Sequence, residues 1–215
     1  MQNERIERWR KFGTSNITDA LDKLGLDGGC LDIKPIVQGA RMVGTAYTVH
    51  YIPCGPVKGT VGDYIDDVNP GDVIVIDNGG RTFCTVWGDL LTLLATKKGI
   101  EGTVIDGVCR DVPTIRELKY PLFSKGHFMV TGKDRVEVDA VQIPVTVGGI
   151  KVCPGDILVG DENGVVVIPQ DKADEVYKIA VEIDEAEEGI ASLISEGYTI
   201  REARKRYGYH TLQRK

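Results

Sequence analysis

The chain has 215 residues, 42% of them hydrophobic, which suits one large domain or two small ones with a core that needs no disulfide or metal staple. Its net charge is −6, and its 26 Lys and Arg are dispersed except for Arg201, Arg204, Lys205 and Arg206. No basic face is available to displace counterions from phosphates, so nucleic acid is not an expected partner, although one fixed Arg and a metal ion can still bind an anionic small molecule. Five cysteines (Cys30, Cys54, Cys84, Cys109, Cys153), odd in number and without a C-x-x-C pair, point to free or buried thiols in a reducing compartment. The charged start MQNERIERWRKFG lacks the apolar run of a signal peptide or membrane span, so a cytoplasmic protein with no membrane partner is expected.

In chain order, Glu4 to Phe12 reads as a helix, and Thr14-Ser15-Asn16 offers caps for a second, Ile17 to Leu24, stopped by Gly25. Short β-rich runs follow from Ile33 to Pro53. NPGDVIVID near Asn69 and CPGDILVGD near Cys153 share Pro-Gly-Asp before an apolar run, and each reads as a tight turn feeding a buried strand of one sheet. Asp72, Asp156 and Asp161 read as turn formers. Asn78-Gly79-Gly80 reads as a loop. Beyond it lie a helix from Leu90 to Lys98, a strand Gly102 to Ile105, a short helix Val112 to Leu118, and strands around Phe128, Val136, Ile143 and Val165. A long charged helix spans about 172–196, with Ile179, Ile183, Ala186, Ile190 and Ile194 on one stripe. No linker divides the chain, which gives one α/β domain over 1–215 with a helical segment at about 1–26 and another at the C-terminus.

The informative stretch runs from Trp87 to Asp111, WGDLLTLLATKKGIEGTVIDGVCRD. Trp87-Gly88-Asp89 opens a helix, and a helix opening presents unpaired N–H groups and positive dipole charge to a carboxylate. Asp89 also fits a plain N-cap. Arg110 and Asp111 follow the strand Thr103-Val104-Ile105 at its carboxyl end, where ligands collect in α/β sheets, yet a surface pair or a helix cap accounts for them equally well. Together the three suit 2-oxo acid chemistry. Breaking a carbon–carbon bond next to a carbonyl builds negative charge on the carbonyl oxygen, which a hard divalent cation and an Arg stabilise. Asp oxygens suit Mg²⁺ or Mn²⁺.

At these residues the sequence resembles the class II pyruvate aldolases of 4-hydroxy-4-methyl-2-oxoglutarate/4-carboxy-4-hydroxy-2-oxoadipate type, in the family that includes regulator of ribonuclease activity A (RraA-like proteins). The framework is an Asp, Asp89, followed after twenty residues by Arg110-Asp111, and the likeness runs from TSNITDALDKLG through both Pro-Gly-Asp segments to the C-terminal helix. The resemblance implies a β/β/α swivelling-type (phosphohistidine-domain-like) fold, assembled as a homotrimer or hexamer with sites between subunits. It implies a small 2-oxo acid substrate and oxaloacetate decarboxylase activity besides aldol cleavage. It further implies that Asp111 ligates the metal, that Asp89 contacts it through water, and that Arg110 binds the oxo acid and stabilises its enolate. The Gly88-Asp89 turn and the backbone N–H groups of Leu90 and Leu91 would receive the substrate carboxylate. A Glu from a neighbouring subunit's C-terminal helix would complete the site, Glu187 by alignment, with Glu185 and Glu188 close by.

Regulator-type relatives typically carry Gly where the aldolases carry the first Asp, and often an acid three residues after the second, where Thr114 stands here. Both features favour the enzyme over the alternative, a non-catalytic protein-binding regulator of ribonuclease activity. His50, His127 and His210 match no metal spacing and read as core or surface residues. Lys58 and Arg81, in glycine-rich loops, read as solvated charges. Gly79-Gly80 and Gly148-Gly149 match no nucleotide-binding fingerprint.

Overall fold

The computed structural model describes residues 2–209, a mixed α/β domain with helices at both ends. The first helix is shorter than its sequence suggests. α1 covers Gln2–Glu7, a 3-10 turn takes Arg8–Lys11, and Phe12 is already extended. α2 spans Thr14–Leu24, so Thr14, Ser15 and Asn16 lie inside its first turn instead of capping it. Its N-cap is Gly13. The Asp161 carboxylate, from the far end of the chain, takes the Thr14 N–H and hydroxyl, both at 2.8 Å. Gly25 ends the helix at φ 70°, a left-handed C-cap that glycine adopts without steric cost.

β1 (Lys34–Pro35), β2 (Met42–Pro53), β3 (Asp72–Thr85), β4 (Gly102–Cys109), β5 (Leu122–His127), β6 (Val136–Val141), β9 (Ile157–Asp161) and β10 (Gly164–Ile168) form one eight-stranded sheet. Its order is β1-β5-β4-β3-β2-β9-β10, with β6 also paired to β2. β7 (Val145–Val147) and β8 (Ile150–Val152) make a separate hairpin. The β2-β3, β3-β4 and β4-β5 pairs are parallel and the rest antiparallel. Parallel neighbours need crossovers, and α3 (Asp89–Lys98) and α4 (Val112–Glu117) supply two of them. β4 is buried at all eight positions, as expected of a strand covered on both faces.

Three local readings change. Asn78-Gly79-Gly80 is a bulge within a long β3, not a loop. The two glycines take φ 58° and 68°, and the register against β4 shifts between Asp77 and Arg81. Phe128 lies just past β5, and Ile143 falls between β6 and β7. The two Pro-Gly-Asp turns are alike in detail. Gly71 and Gly155 take φ 84° and 85°, and Asp72 and Asp156 accept the Asn69 and Cys153 N–H through Oδ2 at 3.2 and 2.8 Å. They feed β3 and β9, which flank β2 in the same sheet.

The largest apolar cluster lies around β2 to β5, with Ile74, Ile76, Ile105, Phe123, Trp87 and Tyr51 almost wholly enclosed. A second lies where α2 and α5 (Ala173–Ser195) cover β2, β9 and β10, joining Ile17 and Leu21 to Val176, Ala180 and Ile183. Trp9, Phe12 and Tyr177 close that layer with edge-on ring contacts of 5.4 to 6.1 Å. In the predicted α5 stripe Ile183, Ala186 and Ile190 are buried, whereas Ile194 is 44% exposed. A further helix, α6 (Ile200–Arg206), holds the basic cluster. The five cysteines are free. Among the described residues no helix is long and apolar enough to cross a membrane.

Burial pushes the Asp161 carboxyl up, but hydrogen bonds from Thr14 and Asn163 outweigh it and hold it below the usual carboxylate range. A lowered folded-state value gives stability that is present above the unfolded value and lost as pH falls through the folded one. Asp161→Ala is therefore expected to lower the unfolding free energy by about 1–2 kcal/mol at neutral pH, the scale of a lost helix cap. Urea titrations should show the wild-type advantage shrinking on acidification.

Candidate active site

Two strand-to-helix passages meet at the carboxyl ends of β3 and β4. After β3 the chain is anchored by Trp87, whose indole N–H donates to Thr92 Oγ1 at 2.9 Å while the Thr92 hydroxyl donates to the Gly88 carbonyl at 2.8 Å. The indole stacks on Tyr120 at 5.9 Å, and the Tyr120 and Thr103 hydroxyls are 2.8 Å apart. This buried scaffold was not anticipated from sequence, because Trp87, Thr92, Thr103 and Tyr120 form no recognised motif. It fixes where α3 begins. Gly88 is the N-cap and Asp89 the first helical residue, so Asp89 is not the cap its position suggested. Its Oδ1 accepts the Leu90 N–H at 2.8 Å. The Leu91 N–H stands at the same open helix start, beyond the reach of the helix's own carbonyls.

After β4, the Arg110 N–H donates to the Trp87 carbonyl at 3.0 Å and ties the two passages together. Asp111 then takes φ 57°, ψ 38°, a left-handed conformation that costs a non-glycine residue roughly 1 kcal/mol. It occupies the N-cap position of α4, yet its side chain makes no capping bond. Instead Oδ2 accepts the Asp89 N–H at 3.1 Å and lies 3.3 Å from Arg110 Nε. The Arg110 and Asp111 side chains are 40% and 36% exposed, and such an open pair contributes at most about 1 kcal/mol, so stability alone does not account for the strained backbone.

Gly88 keeps this arrangement open. Its backbone is extended, which any residue can adopt, but a Cβ there would lie 2.6 Å from Asp111 Oδ2 and 3.2 Å from Arg110 Nε. The structure thus brings Gly88, Asp89, Leu90, Leu91, Arg110 and Asp111 into one patch. Leu90 and Leu93 expose 76% and 57% of their surface beside it.

Glu187 is not part of this patch within one chain. It lies on α5, near Asp19 of α2 and Asp184, with the Tyr209 phenol hydrogen-bonded to it. Burial first, then the Asp19 and Asp184 charges, push its carboxyl above the usual range against the Tyr209 bond. Among the described residues, no three His, Cys, Asp or Glu side chains converge as a metal site. What one chain does offer, two carboxylates at an open surface, fits Mg²⁺ or Mn²⁺. These ions are often held by one or two carboxylates and retained water. It does not fit the closed nitrogen and sulfur set of a structural zinc.

The other charged candidates have their own partners. Arg81 donates to the Asn78 and Tyr51 carbonyls, Lys58 sits beside Asp134, and His50 Nδ1 is 3.1 Å from Asp139 Oδ2. His127 is exposed, and His210 lies outside the described residues.

The chain is thus a mixed α/β domain that carries an Asp and an Arg-Asp pair at the ends of adjacent strands. Residues 14–167 match the RraA-like (Aldolase/RraA) family model, and the chain belongs to that family. It is 46% identical over 200 residues to protein DlpA of Legionella pneumophila, covering 91% of this chain but 32% of that protein, so the chain spans about a third of that relative's length. A protein of Halalkalibacterium halodurans, provisionally named 4-hydroxy-4-methyl-2-oxoglutarate aldolase, is 34% identical over 175 residues, 81% of each chain. The solved structure of Streptomyces coelicolor RraAS2, described as an unusual member of the RNase ES inhibitor RraA protein family, superposes with a TM-score of 0.79 at 29% identity, covering 86% of this chain and 94% of that one.

Gly88→Ala is expected to leave the fold intact while displacing the Asp111 carboxylate from the Asp89 N–H. Amide exchange at Asp89 should accelerate roughly five-fold, equivalent to a hydrogen bond of about 1 kcal/mol, while amides of β4 keep their protection. Unchanged exchange at Asp89 would show that the missing Cβ does not shape the patch.

Proposed function

We propose that the chain is a divalent-metal-dependent lyase that cleaves 4-hydroxy-2-oxo acids, such as 4-hydroxy-4-methyl-2-oxoglutarate, to pyruvate and a second oxo acid, and that also decarboxylates oxaloacetate. The observation that carries this reading is Asp111, held in a strained left-handed conformation with a carboxylate that its own helix does not use, beside Arg110 and above the open start of α3. The likeness to the H. halodurans protein supports it.

Asp111 and, through water, Asp89 would hold Mg²⁺ or Mn²⁺, joined by Glu187 of a neighbouring subunit. When bound, the ion supplies stabilisation of the negative charge that develops on the oxo oxygen. The N–H groups of Leu90 and Leu91 receive the substrate carboxylate, favoured by the helix dipole. Asp89 and the substrate compete for the Leu90 N–H, so binding turns the Asp89 carboxylate away from its neighbour's amide. The Arg110 guanidinium adds a fixed positive charge beside the forming pyruvate enolate, which yields pyruvate on protonation.

Two observations support a homotrimer or hexamer. Glu187 lies apart from the patch in its own chain, and exposed Leu90 and Leu93 border the patch as an apolar surface for a neighbour. The β/β/α swivelling-type description and a reducing, cytoplasmic setting belong to the same reading, the latter supported by five free cysteines. A second reading, a non-catalytic protein-binding regulator, draws on the likeness to RraAS2.

Pyruvate release from 4-hydroxy-4-methyl-2-oxoglutarate and from oxaloacetate, measured with Mg²⁺ and again with chelator, separates the two. Metal-dependent turnover is expected, and its absence on both substrates would favour the regulator. Asp111→Ala and Arg110→Ala should each lower kcat/KM by at least ~100-fold, the scale of losing a main contact to transition-state charge.

A further inference from the structure

The C-terminal hairpin of helices lies beyond the residues matched by the family model, and its details converge on Glu187. α5 ends at Ser195, and the chain turns at Gly197, which has φ 96°. α6 then starts with a full capping box. Thr199 Oγ1 accepts the Glu202 N–H at 3.3 Å, and the Glu202 carboxylate accepts the Thr199 N–H at 3.0 Å. Such a defined start fixes the direction in which α6 leaves the turn.

α6 folds back along α5 because of one missing side chain. A Cβ at Gly189 would lie 2.3 Å from Tyr207 Cζ and 2.4 Å from its hydroxyl. In its absence the Tyr207 ring rests against the α5 backbone. Behind it, Ala203 packs on Ile190 and Leu193, and Tyr209 packs on the same cluster. Gly208, at φ 61°, turns the chain so that Tyr209 returns toward α5, and the Arg204 guanidinium lies 4.9 Å over the Tyr209 ring. Glu187 is three residues before Ile190, one turn earlier on the same helix face, so a ring packed on Ile190 places its phenol within reach of Glu187. The Tyr209 hydroxyl is hydrogen-bonded to the Glu187 carboxylate.

We infer that Tyr209 is the positioning residue for Glu187, held in place by the fold-back of α6 over Gly189, so that the carboxylate is already oriented when offered to a neighbouring subunit. Asp19 and Asp184 repel the Glu187 charge, and a phenol donor is the group that holds one rotamer of a carboxylate in such surroundings. The inference rests on the reading of Glu187 as a ligand supplied between subunits.

Mn²⁺ binding to the full chain, measured by calorimetry and by the electron paramagnetic resonance of free Mn²⁺, tests it without any substrate. Tyr209→Phe removes one hydroxyl and keeps the packing. It should weaken Mn²⁺ binding about ten-fold, the low end of the range for lost partners of metal ligands. Gly189→Ala, which displaces Tyr207 and with it the return of Tyr209, should weaken it to a similar degree. In a Glu187→Gln background, Tyr209→Phe should add no further loss, because its effect runs only through that carboxylate. Wild-type affinity in Tyr209→Phe, or a loss that adds in full to that of Glu187→Gln, would overturn the assignment. Asp111→Ala separates this failure from that of the underlying reading. If Asp111→Ala binds Mn²⁺ as the wild type does, the metal site itself is wrong and the role of Tyr209 falls with it; if Asp111→Ala abolishes binding and Tyr209→Phe does not weaken it, only the Tyr209 role is wrong.

Discussion

The hydrogen bond from the Arg110 N–H to the Trp87 carbonyl joins two chain segments that leave the sheet in different crossovers, and the geometry of the site follows from it. β3 and β4 are parallel neighbours, so their carboxyl ends already lie side by side. Parallel pairing alone fixes only the strands, and their register slips at the Asp77–Arg81 bulge and again before Thr85. The bond at Trp87 restores a defined offset beyond those slips. Trp87 can hold that offset because its ring is enclosed, stacked on Tyr120 and hydrogen-bonded to Thr92. With the offset set, Asp111 faces the first amide of α3, and each of the two helix starts loses its conventional cap. Gly88 contributes no side chain, and Asp111 turns its carboxylate from α4 toward α3.

Turning Asp111 toward α3 leaves the start of α4 without a side-chain cap, which has an energetic consequence. A side-chain cap contributes about 1 kcal/mol, and the left-handed conformation at Asp111 costs about as much again. Elsewhere α2 and α6 receive side-chain bonds at their starts, whereas the long α5 does not. Asp161 covers α2 with two bonds, and Thr199 with Glu202 covers α6.

The architecture was readable where physical signals were local. Alternation and apolar runs marked β2 to β4, and Gly25 marked the end of α2. The paired Pro-Gly-Asp turns signalled two strands of one sheet, which proved to be β3 and β9, on either side of β2. What escaped depended on distant contacts. The cap of α2 comes from Asp161, which lies 147 residues away. The bulge at Gly79 and Gly80 looks like a loop because glycine pairs serve both. α6 was hidden because its seven residues bury little more than Ala203 and read as a basic cluster. For the site, the Asp89 to Arg110-Asp111 spacing was visible, whereas its scaffold of Trp87, Thr92 and Tyr120 was not, since stacking leaves no periodic trace.

Two of the three donors proposed for the site belong to one chain and the third does not. Asp89 and Asp111 converge through backbone constraints that a single chain satisfies by folding. Glu187 sits on α5, which packs with α2 over β2, β9 and β10. Asp19 and Asp184 both raise the cost of a charge on Glu187 there. A neighbour's cation placed beside it would relieve that cost and complete the coordination at the same time. On this view assembly and metal binding are linked equilibria, each strengthening the other by the same free energy.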